Sequence, residues 1–313
     1  MRILVTGATG FVGQCVCPAL LAADHEVLAA TRTAAPGAAP AEIRRHVVGD
    51  IGATTPWERA LEECEAVVHL AAYAHRPGER ESPKYFEVNA QGTRRLAQCA
   101  ARAGVRHFVY VSTIKVHGEG GPEPVTEDSA FDPQDDYARS KREGEIALEQ
   151  AAAASAMKFT ILRPPLVYGP RVKANFLALL RAVERGFPIP ASAANRRSVL
   201  YVENLANALV RGLGDSRAAG EAFVLSDGEP LSTARLVELI AASLGRPPRI
   251  LTLPNPVVTF AATLLGRRDA LARLTGSLYL DDSGIRTKLE WMPPHSTQTG
   301  LARTAEWFRS SCA

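Results

Sequence analysis

The residues best suited to chemistry in this chain are Tyr137 and Lys141, four apart in YARSK, with Thr113 upstream in VSTIKVHG. Four residues apart on a helix means one face, so the lysine ammonium lies beside the phenol. A nearby positive charge favours the phenolate; moving a tyrosine pKa from about 10 toward neutrality takes roughly 4 kcal/mol of such interaction. That would make Tyr137 a workable acid or base. Thr113, at the end of an apolar run, is placed to share a substrate oxygen with it by hydrogen bonding.

A second group lies at the start of the chain. The run RILVT leads into TGATGFVG, which spaces Gly7, Gly10 and Gly13 three apart, with Phe11 and Val12 between the last two, before a helical pattern. Glycines there permit a tight turn and close backbone approach, so a pyrophosphate can rest on the helix N-terminus. The next strand, HEVLAAT, ends at Thr31-Arg32. An acid at that point accepts hydrogen bonds from the adenosine ribose hydroxyls, whereas an arginine attracts a 2′-phosphate. Arg32 therefore favours NADP(H) over NAD(H); its other reading is a solvated side chain beside a flexible loop. Asp50-Ile51 closes the third strand, where the carboxylate either approaches the adenine amino group or forms a turn.

The elements that must position these groups alternate. RILVT, HEVLAAT, RHVVGD, AVVHLAA, HFVYVST and KFTILRP read as strands, interleaved with helical patterns at 11–23, 85–103 and 136–153. Parallel strands need crossover connections, so the expected fold is α/β, a doubly wound parallel sheet of the Rossmann type. After Arg163 the rhythm breaks at Pro164, Pro165, Gly169 and Pro170. Residues 1–165 are expected to form the dinucleotide-binding domain. Residues 166–313 then make a smaller, mostly helical substrate region, with helices near 175–185, 233–244, 254–265 and 299–308. SVLYV and AFVLS are candidates to return to the main sheet, which would give part of 198–225 to the first domain.

Bulk properties narrow the partners. A net charge of +3, without a basic stripe, argues against nucleic acid. No run reaches the roughly 18 apolar residues of a membrane span, and the opening MRILVTG is too short for a secretory signal. Five cysteines, an odd number, suggest reduced thiols in a cytoplasmic protein. No metal is expected.

TGATGFVG, HLAAYAH, VNAQGTRRL, VSTIKVHG, YARSK and LRPPLVYGP, followed by RRSVLYVENLANAL and LDDSGIRTKLEWMPP, together resemble the extended short-chain dehydrogenase/reductases, specifically the nucleotide-sugar epimerase, dehydratase and reductase group. The resemblance spans essentially the whole chain. It implies a Thr113, Tyr137, Lys141 triad, with Lys141 also holding the nicotinamide ribose. Leu70, Ala71, Ala72 and Pro164 would line the cofactor cleft, and Asn89 would have a structural or proton-relay role. Arg197, with Arg273 and Asn175, would bind the substrate diphosphate, since arginine pairs bidentately with phosphate.

Within that group, dehydratases follow the Ser/Thr with an Asp-Glu pair, and Ile114-Lys115 stands there instead. Leu166 replaces a frequent substrate-contacting asparagine, and His117 stands where tyrosine is common, with packing its more ordinary role. The expected reaction is NADPH-dependent reduction of an NDP-4-keto-6-deoxyhexose at C4. A UDP-sugar 4-epimerase retaining NAD is the alternative, followed by a steroid- or flavonoid-type dehydrogenase or a non-catalytic dinucleotide sensor. Relatives suggest a homodimer through the helices at 85–103 and 136–153.

Overall fold

The structure is a computed structural model, and it describes residues 1–34, 43–74, 82–251 and 276–312. Seven strands form one parallel sheet: β1 (Arg2–Thr6), β2 (Glu26–Thr31), β3 (Arg44–Val47), β4 (Ala66–His69), β5 (His107–Val111), β6 (Lys158–Arg163) and β10 (Glu221–Val224). Three shorter strands lie between β6 and β10 in the chain: β7 (Leu166–Tyr168), β8 (Ile189–Pro190) and β9 (Val199–Tyr201). A further one, β11 (Ile250–Leu251), follows. The sheet order is β3-β2-β1-β4-β5-β6-β10. Successive strands run outward from β1 in one direction and from β4 in the other, which opens a crevice beyond the carboxyl ends of β1 and β4.

Helices cover both faces because alternate residues of each strand point to opposite sides. Ile3 and Val5 pack toward α1 (Gly13–Ala22) and α6 (Val202–Gly214), in a core with Val16, Leu20, Leu205 and Leu209. Leu4, Val67 and Phe108 face the other way, toward Leu96 and Ala97 of α3 (Thr93–Arg102) and Leu148 of α4 (Asp136–Ala153). Burying both faces explains why these strands read as continuous apolar runs. The span expected as one helix at 85–103 is divided: α2 (Pro83–Tyr85), a π-helical turn (Phe86–Gly92), then α3. β3 ends at Val47, short of the expected Asp50-Ile51, and Gly92 admits Ile51 from the loop beyond it, since a Cβ there would lie 2.5 Å from Ile51 Cγ2.

The second region has its own core, in which Tyr168, Phe176, Leu180, Val237, Ile240, Leu301 and Phe308 pack together. They come from β7, α5 (Ala174–Glu184), α7 (Thr233–Leu244) and α9 (Thr297–Cys312), with α8 (Ser283–Leu289) lying before the last. AFVLS returns to the main sheet as β10 beside β6, as expected. SVLYV does not: β9 pairs with β7 in a separate two-stranded sheet, while β8 pairs with β11. A short apolar run carries no mark of which edge it will join, and Pro164-Pro165 turns β7 away from β6 to offer β9 a different one. The helix expected at 254–265 lies outside the described residues. Among the described residues, no helix is long and apolar enough to cross a membrane, and Cys15, Cys17, Cys64 and Cys99 are free thiols.

Candidate active site

The glycine loop sits at the crevice. Gly7 has φ +70, in the left-handed region, and its carbonyl accepts the Gly10 N–H at 2.9 Å. A Cβ on Gly7 would fall 2.8 Å from the Ala71 nitrogen, and one on Gly13 would fall 2.2 Å from the Gly7 carbonyl oxygen. Backbone is therefore packed against backbone where a side chain would intrude. Among the described residues no side chain caps the start of α1. Those features fit the pyrophosphate of a dinucleotide.

The cleft wall after β4 is held by hydrogen bonds. Thr6 Oγ1 accepts the Ala71 N–H at 3.1 Å and lies 2.6 Å from His69 Nδ1, and His69 Nε2 is 3.0 Å from Thr93 Oγ1. Thr93 already donates to the Asn89 carbonyl at 2.7 Å. His69 therefore carries its proton on Nε2 and accepts at Nδ1. Burial, reinforced by nearby Lys141, holds its pKa down to about 3, so it stays neutral.

Asn89, in the π-helical turn, spends its amide on both sides of the cleft. Its Oδ1 accepts from the Tyr73 N–H at 2.7 Å, and its Nδ2 donates to the Tyr73 carbonyl and to Ser140 Oγ, each at 3.0 Å. Ser140 donates in turn to the Tyr137 carbonyl at 2.8 Å. The segment that follows Leu70, Ala71 and Ala72 is thereby tied to the helix of Tyr137.

Thr113 caps a short 3₁₀ turn (Ile114–His117), accepting the Lys115 N–H at 3.3 Å. Its hydroxyl also favours the Tyr137 phenolate, against the effect of burial. Lys141 Nζ donates to the Val111 carbonyl at 2.7 Å and lies 4.0 Å over the Tyr110 ring. The electrostatics differ from the expectation drawn from spacing. Burial pushes the phenol of Tyr137 up to about 12, with Asp135 adding to the rise. Burial also brings Lys141 down to about 7, against the opposing pull of Glu145. Spacing revealed the proximity of the two groups but not the desolvation that both undergo. The protein alone thus keeps Tyr137 protonated at neutral pH, the state a proton donor needs.

Around the triad, Ile114 is buried, and Lys115 is paired with Asp135 and Glu119. His117 is buried against Phe131, donating from Nδ1 to the Ala130 carbonyl at 3.2 Å and accepting at Nε2 from Arg163 at 3.1 Å. This is a packing role. Arg163 and Glu145 were not singled out from sequence; the available signal was that Glu145 continues the four-residue spacing of Tyr137 and Lys141.

Beyond β2 and β3, Arg32 and Asp50 are both largely exposed and form an ion pair, with Nη1 and Oδ1 3.8 Å apart. Pro164 is buried, and its carbonyl accepts the Ile114 N–H at 3.0 Å.

The substrate-side candidates lie on separate elements. Asn175 is exposed in the first turn of α5. The Arg197 backbone pairs with Leu231, and its Nη1 donates to the Gly276 carbonyl at 3.0 Å. Arg273 lies outside the described residues. Leu166 is 43% exposed in β7. Asn195, missed from sequence, is buried and donates from Nδ2 to Thr233 Oγ1 at 2.7 Å and the Gly276 carbonyl at 3.1 Å.

Comparison with known proteins gives a consistent picture. Residues 3–226 match the NAD dependent epimerase/dehydratase family. A UDP-glucose 4-epimerase of Vibrio cholerae is 40% identical over 315 aligned positions, covering 98% of this chain and 95% of its own. The structure of a Thermus thermophilus UDP-glucose 4-epimerase in complex with NAD matches at TM-score 0.81 and 26% identity, covering 99% of this chain and 100% of that one. The structure of MoeE5 in complex with UDP-glucuronic acid and NAD matches at TM-score 0.82 and 25% identity, with 99% and 100% covered. With its glycine cradle at the crevice and Thr113, Tyr137 and Lys141 around one cleft, this chain belongs to the NAD dependent epimerase/dehydratase family, within the extended short-chain dehydrogenase/reductases.

Proposed function

We propose that the protein reduces a nucleotide-linked 4-keto-6-deoxyhexose at C4, using NADPH. Hydride transfer is the chemistry a bound nicotinamide supplies. The chain orients the ketone with Thr113, donates a proton to its oxygen from Tyr137, and stabilises the resulting phenolate through Lys141. The carbonyl thus gains a hydride on carbon and a proton on oxygen, becoming an alcohol. Arg197 and Asn175, with Arg273, are proposed to engage the diphosphate. The protein is proposed to work as a cytoplasmic homodimer paired through α3 and α4.

The observation that carries the reductase reading is Arg32. The end of β2 offers a largely exposed guanidinium, and although Asp50 lies 3.8 Å from it, the arginine fork can still pair with a 2′-phosphate. A net reductase must exchange its cofactor at every turnover, which NADPH specificity serves. Elimination of water is disfavoured: Ile114 is buried and Lys115 is occupied by two carboxylates where dehydratases have their acid pair.

A second reading, 4-epimerisation of a UDP-sugar with retained NAD, is favoured by the Vibrio cholerae relative at 40% identity. Incubation of the purified protein with NADPH and a UDP-4-keto-6-deoxyhexose, followed by chromatography of the sugar nucleotide, tests the first reading. Stoichiometric NADPH consumption supports it. Interconversion of UDP-glucose and UDP-galactose without added cofactor supports the second.

A further inference from the structure

Lys115 has no part in the chemistry assigned so far. Its ammonium nevertheless reaches across the cleft floor to Asp135, and it lies 2.7 Å from Glu119. Asp135 is the N-cap of α4; its Oδ1 accepts the Ala138 N–H at 2.8 Å while Oδ2 takes Lys115. Lys115 also donates its own N–H to Thr113 Oγ1. One carboxylate is therefore shared between the helix that carries Tyr137 and the turn that begins at Thr113.

We propose that Lys115 is a positioning residue for proton transfer, holding the first turn of α4 against the Thr113 turn and cancelling the field of Asp135 at the Tyr137 phenol. This rests on the reading that Tyr137 moves the proton, which the reductase and epimerase reactions share. The groups acting on that phenol are Asp135 at the cap of its own helix, Tyr85 of α2 at 6.2 Å between ring centroids, Tyr110 of β5 and the Thr113 hydroxyl, with Lys141 one turn on along the same helix. Asp135 is the anion in this set. With Lys115 removed, its charge acts unopposed and favours the neutral phenol. Asparagine at the same position would keep the helix cap and remove the charge.

The test compares wild type with K115M, D135N and the double variant, measuring the pH dependence of NADPH-driven reduction. In this direction the protonated phenol is active, so the alkaline limb reports its pKa. K115M is expected to move that limb upward by about 0.5–1 unit, to lower kcat about tenfold and to leave KM within about twofold. D135N should move the limb downward, and the double variant should return it close to wild type. A K115M variant that loses kcat with an unmoved limb, or a double variant that restores nothing, would show simple packing and overturn the proposal. Should wild type turn over no nucleotide sugar, the reductase reading fails by itself. ¹³Cζ-tyrosine NMR titration of the same proteins, with Y137F for assignment, then reads the shift directly, and a D135N midpoint equal to wild type overturns the role given to Lys115.

Discussion

Arg163 grips Glu145 through two charged hydrogen bonds, Nε to Oε1 at 3.1 Å and Nη2 to Oε2 at 2.9 Å, and both side chains are almost wholly buried. Nη1 of the same arginine reaches His117 Nε2 at 3.1 Å. One guanidinium therefore joins the end of β6, the helix that carries Tyr137 and Lys141, and the far end of the Thr113 turn. Glu145 lies one turn beyond Lys141 on the same helix face and supports its charge.

Removing the carboxylate leaves that guanidinium buried and uncompensated. Glu145→Ala is expected to destabilise the fold by about 3–5 kcal/mol, read from urea unfolding. A change under about 1 kcal/mol would mean that the Glu127 carbonyl, His117 Nε2 and the Phe131 ring already satisfy the guanidinium.

Lys141 makes stability depend on pH in a defined sense. Its folded pKa is about 7 against an ordinary 10.5. Between these values the unfolded chain binds a proton that the folded chain has released, so stability rises with pH across the window and is flat below it. Stripped wild-type protein should gain up to about 2 kcal/mol relative to K141M between about pH 7 and 8.5. Parallel profiles for the two proteins in urea titrations would contradict the burial of an uncharged lysine.

Asn89 links the two sides of the cleft, and Asn89→Ala strands the Tyr73 amide groups. A cost of about 1–3 kcal/mol is expected, together with weaker dinucleotide binding. Thermal melting and a cofactor titration check both, and an unchanged cofactor affinity would leave Asn89 with a purely structural part.

All seven sheet strands, the glycine cradle and the Tyr-Lys spacing were legible in sequence, because local patterning alone specifies them. A continuous apolar run shows through wherever both faces of a strand are covered, and a positive φ at Gly7 demands glycine. The hidden features depend on tertiary partners. Pairing of β9 with β7 and the approach of Ile51 to Gly92 beside the π-helical turn both bring together segments distant in the chain. The same is true of the triad's electrostatics: the partners of Tyr137 were readable, whereas the desolvation that raises its pKa arises only once the sheet and helices close around it.

Gly7→Ala combines a left-handed backbone with a contact of 2.8 Å to the Ala71 nitrogen. Loss of measurable dinucleotide binding is expected, with about 1–2 kcal/mol or more of destabilisation. Wild-type affinity in a fluorescence titration would remove the loop from the cofactor site.

Cofactor choice is the most direct test of the account. The nucleotide carried by freshly purified protein should be identified and quantified, and the stripped protein titrated with NADPH and NADH, alongside Arg32→Ala. A largely empty protein that prefers NADPH by about tenfold or more, with the preference erased in Arg32→Ala, is the predicted result. Stoichiometric, tightly held NAD with no preference for NADPH would contradict it and identify the retained-cofactor epimerase as the better description.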